Sequence, residues 1–423
     1  MLPSLRLSLT ALTALTVLAA SACDPVVGEH TSTSTPGDLT AGPTYTEHVA
    51  PILVKSCASC HQPGGIAPFS LLTYDNARDA AGAIKASTAT RAMPPFNLDN
   101  SGDCNTYEDA RWLDEAEIKT LADWVDAGSP EGDPAKAPPS PDAPAGLEDK
   151  SVTLDMGLSY LPDQTLDDDY RCFIVDPEID ADRFLTGFEV KPGDKRVVHH
   201  LILFSLDTDA AEEQASKLDQ ADGEEGYRCF GGPGVTDARF MAGWAPGGGA
   251  THYAKDTGIR LFAHRKLVMQ LHYNLANGAF PDRTTMDLAL AESVAKEATI
   301  SRVAAKNINL PPGQTRVEAK GTLKIPAALG SVTVWGVAPH MHTRGTTMDV
   351  SSTSGGESTC LVAVPRWNFH WQSFSRYETP LTLPAGSQVA ITCGYDTSKE
   401  TKTITSGEST EDEMCINFLY VTR

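Results

Sequence analysis

Val197-Val198-His199-His200-Leu201-Ile202-Leu203-Phe204 is a run of apolar, strand-forming chain with two adjacent imidazoles set into it. Runs of the same texture recur beyond residue 151 between turns rich in Gly, Pro and Asp: Leu267–Tyr273, Val332–Ala338, Gln388–Cys393 and Met414–Val421. Short apolar runs at such spacing are the mark of antiparallel sandwiches, and roughly 270 residues are enough for two of them. Three further histidines sit in these runs or at their ends. His272 lies near the end of the second, and His340 and His342 flank Met341 in Pro339-His340-Met341-His342. Residues i and i+2 share a strand face, so His340 and His342 can converge on one metal. Adjacent His199 and His200 point to opposite faces of a regular strand. Using both on one ion requires a twist or bulge, or bonding through the nearer ring nitrogen. One such histidine alone reads as a hydrogen-bonded core residue. Five in apolar strands each need a partner once buried, and a metal is the economical one.

Upstream the texture changes. Asp114-Glu115-Ala116-Glu117 carries a helix cap with Glu three residues on; Ile118, Leu121, Ala122 and Val125 follow at helical spacing, and Gly128 stops the helix. The segment 45–129 therefore reads as a small helical domain. It contains Cys57-Ala58-Ser59-Cys60-His61, a CxxCH motif. Two thiols so spaced can bond two vinyl groups of one porphyrin, and His61 falls under the iron as axial ligand. A zinc half-site would need a second cysteine pair nearby, and there is none. Met93, in Arg91-Ala92-Met93-Pro94-Pro95, is favoured as the sixth ligand over its rival His48, because two prolines hold it on a rigid loop.

Six prolines between Ser129 and Lys150 mark a semi-rigid linker, 130–150, and predict few contacts between the parts it joins. Residues 1–22 have the layout of an export signal, and 23–44 that of a flexible tether. Cleavage before Cys23 would leave a lipidated N-terminus and membrane attachment; plain secretion is the other outcome. Either way the chain is exported, to the periplasm, the cell envelope or beyond, where disulfides persist. With 34 basic against 55 acidic residues and a net charge of -21, nucleic-acid binding is excluded as the main task.

The 45–129 segment resembles the small c-type cytochromes, on CxxCH, the Met-Pro-Pro loop and the helix ending Trp124-Val125-Asp126-Ala127-Gly128. From about 152 to 423 the chain resembles the copper type II, ascorbate-dependent monooxygenases, the peptidylglycine alpha-hydroxylating and dopamine beta-monooxygenase family. The resemblance rests on the adjacent pair His199-His200, on Gln270-Leu271-His272-Tyr273, on the HxH of His340 and His342, and on Glu411-Asp412-Glu413-Met414-Cys415.

The resemblance implies two jelly-roll-like antiparallel sandwiches, 151–300 and 301–423, each bearing one copper. His199, His200 and His272 would hold the first ion, and His340, His342 and Met414 the second. Three imidazoles suit either oxidation state of copper, while a soft thioether favours Cu(I), the form that reacts with dioxygen. Gln270 joins His340, His342 and Met414 as a candidate catalytic residue. The family also implies a Cys393–Cys415 bridge beside Met414; Cys172 and Cys229 fit a second bridge, and Cys104 and Cys360 are left unpaired. Peptide-amidating members clamp a substrate carboxylate with Arg, Asn and Tyr at positions held here by Ala338, Ile416 and Phe418, so a small or apolar, non-peptide substrate is expected. The combined expectation is an exported monooxygenase with two coppers, a covalent haem c fed by an external electron donor, and dioxygen as co-substrate. A non-catalytic copper and haem electron-transfer protein is the alternative.

Overall fold

The computed structural model describes residues 42–63, 67–108, 110–139, 146–246, 249–275, 278–407 and 411–423. The export signal, Cys23 and most of the tether lie outside the described residues.

Two sandwiches share one sheet. Eight of its nine strands run in the order Lys150–Asp155, Thr285–Ala291, Arg183–Lys191, Thr257–Leu261, Lys296–Ala304, Cys415–Thr422, Val332–Met341, Ser375–Leu383; Thr251–His252 pairs beside Arg183–Lys191. Thr257–Leu261 and Lys296–Ala304 pair in parallel, and this seam joins the halves. The first half packs on a second sheet of Tyr227–Arg228, Asp168–Val175, Leu267–Asn274, Val198–Ser205 and Arg239–Trp244. Leu185, Phe188, Leu203, Met269 and Met286 fill the space between. The second half packs on Val317–Lys324, Gln388–Tyr395, Gly345–Ser354 and Glu357–Val364 over Val337, Val350, Leu361, Ile391 and Leu419. Each fully buried side chain of this kind contributes about 1.5–3 kcal/mol.

Strand alternation then positions the site. On Cys415–Thr422, Cys415 and Leu419 enter the second core while Tyr420 enters the first. The face carrying Phe418 and Tyr420 therefore looks toward the first sandwich.

The helical part comprises Tyr45–Val49, Ala50–Ser56, Tyr74–Asp79, Ala81–Ala89 and Glu115–Asp126 around Val49, Leu53, Ile84, Leu121 and Trp124. The last helix opens on the cap its sequence predicts: Asp114 Oδ1 accepts from Glu117 N (2.7 Å), and Asp114 N donates to Glu117 Oε2 (3.0 Å). Its end passes through Gly128 at φ +84°, a conformation that costs glycine little.

The expectation of few contacts between this part and the sandwiches is not met. Leu98 and Tyr107, in a loop with no regular period, sink into the second core. Tyr107 stacks on Tyr377 (5.3 Å between centroids, 26°). Asn97 Nδ2 donates to the carbonyls of Asn368 (3.0 Å) and Trp371 (3.1 Å), and Asn368 N donates back to Asn97 Oδ1 (2.8 Å). A Cys104–Cys360 disulfide closes this junction and pairs the two cysteines that spacing alone leaves without partners. Cys172–Cys229 and Cys393–Cys415 are bridged as expected.

Candidate metal centre

His200 and His272 face each other across paired strands, with Nδ1 atoms 3.2 Å apart. The ladder shifts register between Val198 and His200, so His199 is the extra residue of a bulge. That bulge resolves the adjacency problem: His199 Nδ1 comes within 3.4 Å of His200 Nδ1. The ligand atoms of all three histidines lie within 4.8 Å of one another. Burial pulls His199 down to about 3, His200 well below the usual imidazole range, and His272 in the same direction. All three are therefore neutral near pH 7 and have lone pairs to offer.

Outer partners choose the nitrogen. His272 Nε2 donates to Asp168 Oδ1 (2.7 Å), which leaves Nδ1 for a metal, and the ring stacks on Tyr170 at 4.2 Å. The bond from His272 holds the Asp168 carboxyl below its ordinary value. His199 Nε2 lies 3.1 Å from His370 Nδ1, a histidine of the second sandwich. With Nδ1 of His199 turned to the cluster, its Nε2–H donates to His370. Asp168→Ala should weaken copper at this cluster by about 10–100-fold while the second cluster keeps its ion, as measured by chelator competition.

The second cluster uses the other ring nitrogen. His340 Nδ1 meets Gln372 Oε1 at 2.5 Å, while Gln372 Nε2 donates to Phe369 O (2.9 Å); this fixes the amide and makes His340 Nδ1 the donor. His342 Nδ1 donates to the carbonyl of Asp412 (3.0 Å). In both rings Nε2 is then the nitrogen that can offer a lone pair. Burial draws His340 down to about 4. Pairing of His340 with Ile416 and Met341 with Cys415, carried one residue further, sets Met414 opposite His342 on the same face. Tyr395 Oη donates to Met414 O (2.8 Å), and the Cys393–Cys415 bridge anchors the next residue. The fully buried Glu413 carboxylate accepts the backbone N–H groups of His342 (3.0 Å) and Arg344 (2.7 Å), tying the two segments together.

His199, His200, His340 and His342 open into one cavity of about 140 Å³ between the sandwiches. Gln270 also lines it, its amide donating to Gly232 O (3.0 Å). In the helical part, Cys57 and Cys60 are free thiols, and His61 Nδ1 bonds the carbonyl of Phe69 (3.1 Å), which turns the other ring nitrogen, Nε2, away from that bond. Met93 is 39% exposed and shares a small hollow with Arg111, whose guanidinium reaches Cys60 Sγ at 3.9 Å. Exposed His48 bonds the N–H of Thr44 through Nδ1 (3.1 Å). The sequence gives no sign of the parts played by His370, Gln372, Asp168 and Glu413. His370 and Gln372 belong to the turn Phe369–Trp371 and its flank, and nothing local marks them.

Two imidazole sets, with Met414 in register beside the second and no carboxylate in either, fit copper and exclude calcium or magnesium. Residues 296–422 match the model of the copper type II ascorbate-dependent monooxygenase C-terminal domain. Among individual proteins, the chain is 22% identical over 299 residues to tyramine beta-hydroxylase of Caenorhabditis briggsae, covering 66% of this chain and 47% of that protein. It is 23% identical to DBH-like monooxygenase protein 1 of Gallus gallus (53% of this chain, 39% of that protein) and to its Homo sapiens counterpart (54% and 40%). The chain thus spans less than half the length of these curated relatives.

Proposed function

We propose that this chain is an exported copper monooxygenase that hydroxylates a C–H bond of a non-peptide substrate, with electrons supplied through a covalently attached haem c. The observation that carries the reading is that two unlike histidine sets meet at one cavity. The His199, His200 and His272 cluster turns Nδ1 atoms together and lines the cavity with His199 and His200. The pair His340 and His342 has its Nδ1 atoms held by Gln372 and Asp412, and strand register adds Met414 to this second set. Copper at the second set would supply dioxygen activation, and at the first set electron storage. The reaction consumes one C–H bond, one dioxygen, two electrons and two protons, and yields an alcohol and water. An external reductant supplies these electrons to the haem, which passes them on one at a time in place of diffusing ascorbate.

The protein's own residues orient and shelter. Asp168, Gln372 and Asp412 fix the tautomers of His272, His340 and His342, so that each presents a lone pair inward. In favour of haem, Cys57 and Cys60 stay unbridged while the six other described cysteines are all paired. Three disulfides suit an oxidising compartment.

The test is anaerobic reduction of the metal-loaded protein, followed by dioxygen, with metal analysis and a product screen. Two coppers, one covalent haem and a hydroxylated product are expected. Reoxidation without any product would leave electron transfer as the function. Met414→His should retain copper but slow product formation, because imidazole stabilises Cu(II) where a thioether favours Cu(I). Unchanged turnover in that variant would remove Met414 from the ligand set.

A further inference from the structure

The cavity that joins the two clusters is lined, among the described residues, by no Asp, Glu, Lys or Arg. Its wall away from the histidines is aromatic. Phe240 and Phe418 stack at 4.9 Å and 14°, Tyr253 and Tyr420 at 4.6 Å and 25°. Phe374 meets both tyrosines edge-on, at 6.0 and 5.9 Å. The tyrosines offer rings rather than hydroxyls: Tyr253 Oη donates to Met241 O (2.5 Å), and Tyr420 Oη pairs with Thr257 Oγ1 (2.7 Å). The carboxylates near the clusters are committed, Asp168 to His272 and Asn274, Glu413 to two backbone N–H groups. A charged substrate end would lose its water here and gain no counter-ion from the lining side chains.

We propose that the part of the substrate entering this cavity is an uncharged hydrocarbon of about one aromatic ring, seated against Phe418 and Phe240 with its C–H bond toward His340 and His342. This rests on the copper monooxygenase reading of the site. The volume of about 140 Å³ supports the size, since an apolar cavity of roughly 150 Å³ admits benzene. Aromatic stacking gives affinity that needs no polar anchor.

The test uses a matched series on the full-length protein: ethylbenzene, 2-phenylethylamine (a cation at neutral pH) and 3-phenylpropanoate (an anion). Binding is measured by equilibrium dialysis with copper loaded and with copper removed. Ethylbenzene should bind in both forms, and at least about 100-fold more tightly than either charged analogue in the copper-free form. Phe418→Ala should weaken ethylbenzene by at least about tenfold. Ala338→Arg, which places a cation on the wall, should instead raise binding of 3-phenylpropanoate. Binding of either charged analogue to the copper-free wild type within about tenfold of ethylbenzene would overturn the proposal. Ethylbenzene that binds as expected but yields no alcohol with dioxygen and reductant would count against the monooxygenase reading and leave the pocket's preference standing.

Discussion

His342→Ala should lower the copper content from two ions to one per chain and abolish hydroxylation. With the proposed set of His340, His342 and Met414, losing one ring leaves a single strong donor beside a weak one. The loss of affinity should exceed the roughly 10–100-fold that removing an outer hydrogen-bond partner costs. The fold should survive, because the tie between segments runs through the backbone N–H of His342 to Glu413, which the substitution keeps. Metal analysis, an oxygen electrode and a thermal melt check the three parts. Two retained coppers with normal turnover would show that this cluster is not a metal site.

The same pair of clusters shows what a sequence reveals and what it conceals. The ligand candidates are legible because strand periodicity places i and i+2 on one face, and because adjacent histidines can share an ion only through a twist, a bulge or the nearer ring nitrogen. The bulge at His199 and the convergence of Nδ1 atoms supply two of these. The five runs read from the sequence each fall on a strand, within a residue at each end for Val197–Phe204 against Val198–Ser205, but three residues short for Val332–Ala338 against Val332–Met341. His370 and Gln372 are not, because they reach their partners across 171 and 32 residues from a short turn without periodicity. The Cys104–Cys360 bridge spans 256 residues, a separation at which cysteine spacing carries no pairing information. The packing of Leu98 and Tyr107 is hidden for a related reason. Two apolar residues in an aperiodic loop look like surface until a tertiary partner covers them.

That hidden junction sets the outcome of cutting the chain. A protease site placed within residues 140–145, which lie outside the described residues, should yield two fragments that stay together on a non-reducing gel and separate only on reduction. The Cys104–Cys360 bond is covalent, and around it lie the Tyr107–Tyr377 stack, the Asn97–Asn368 bonds and an ion pair between Arg376 and Glu108. If a haem feeds the coppers as proposed, donor-driven turnover should therefore survive the cut, because the bridge maintains the millimolar-range local concentration that the linker otherwise supplies. Cys104→Ser alone should change turnover little, since the linker still holds the parts. Cutting the Cys104→Ser protein and diluting it should make turnover depend on protein concentration, and added ascorbate should restore it. Stopped-flow traces separate the causes. Haem reoxidation matched to product formation before the cut, and lost with dilution after it, is the expected result. A haem that stays reduced while product forms at the normal rate would remove the electron-feeding role, whatever the fragments do on the gel.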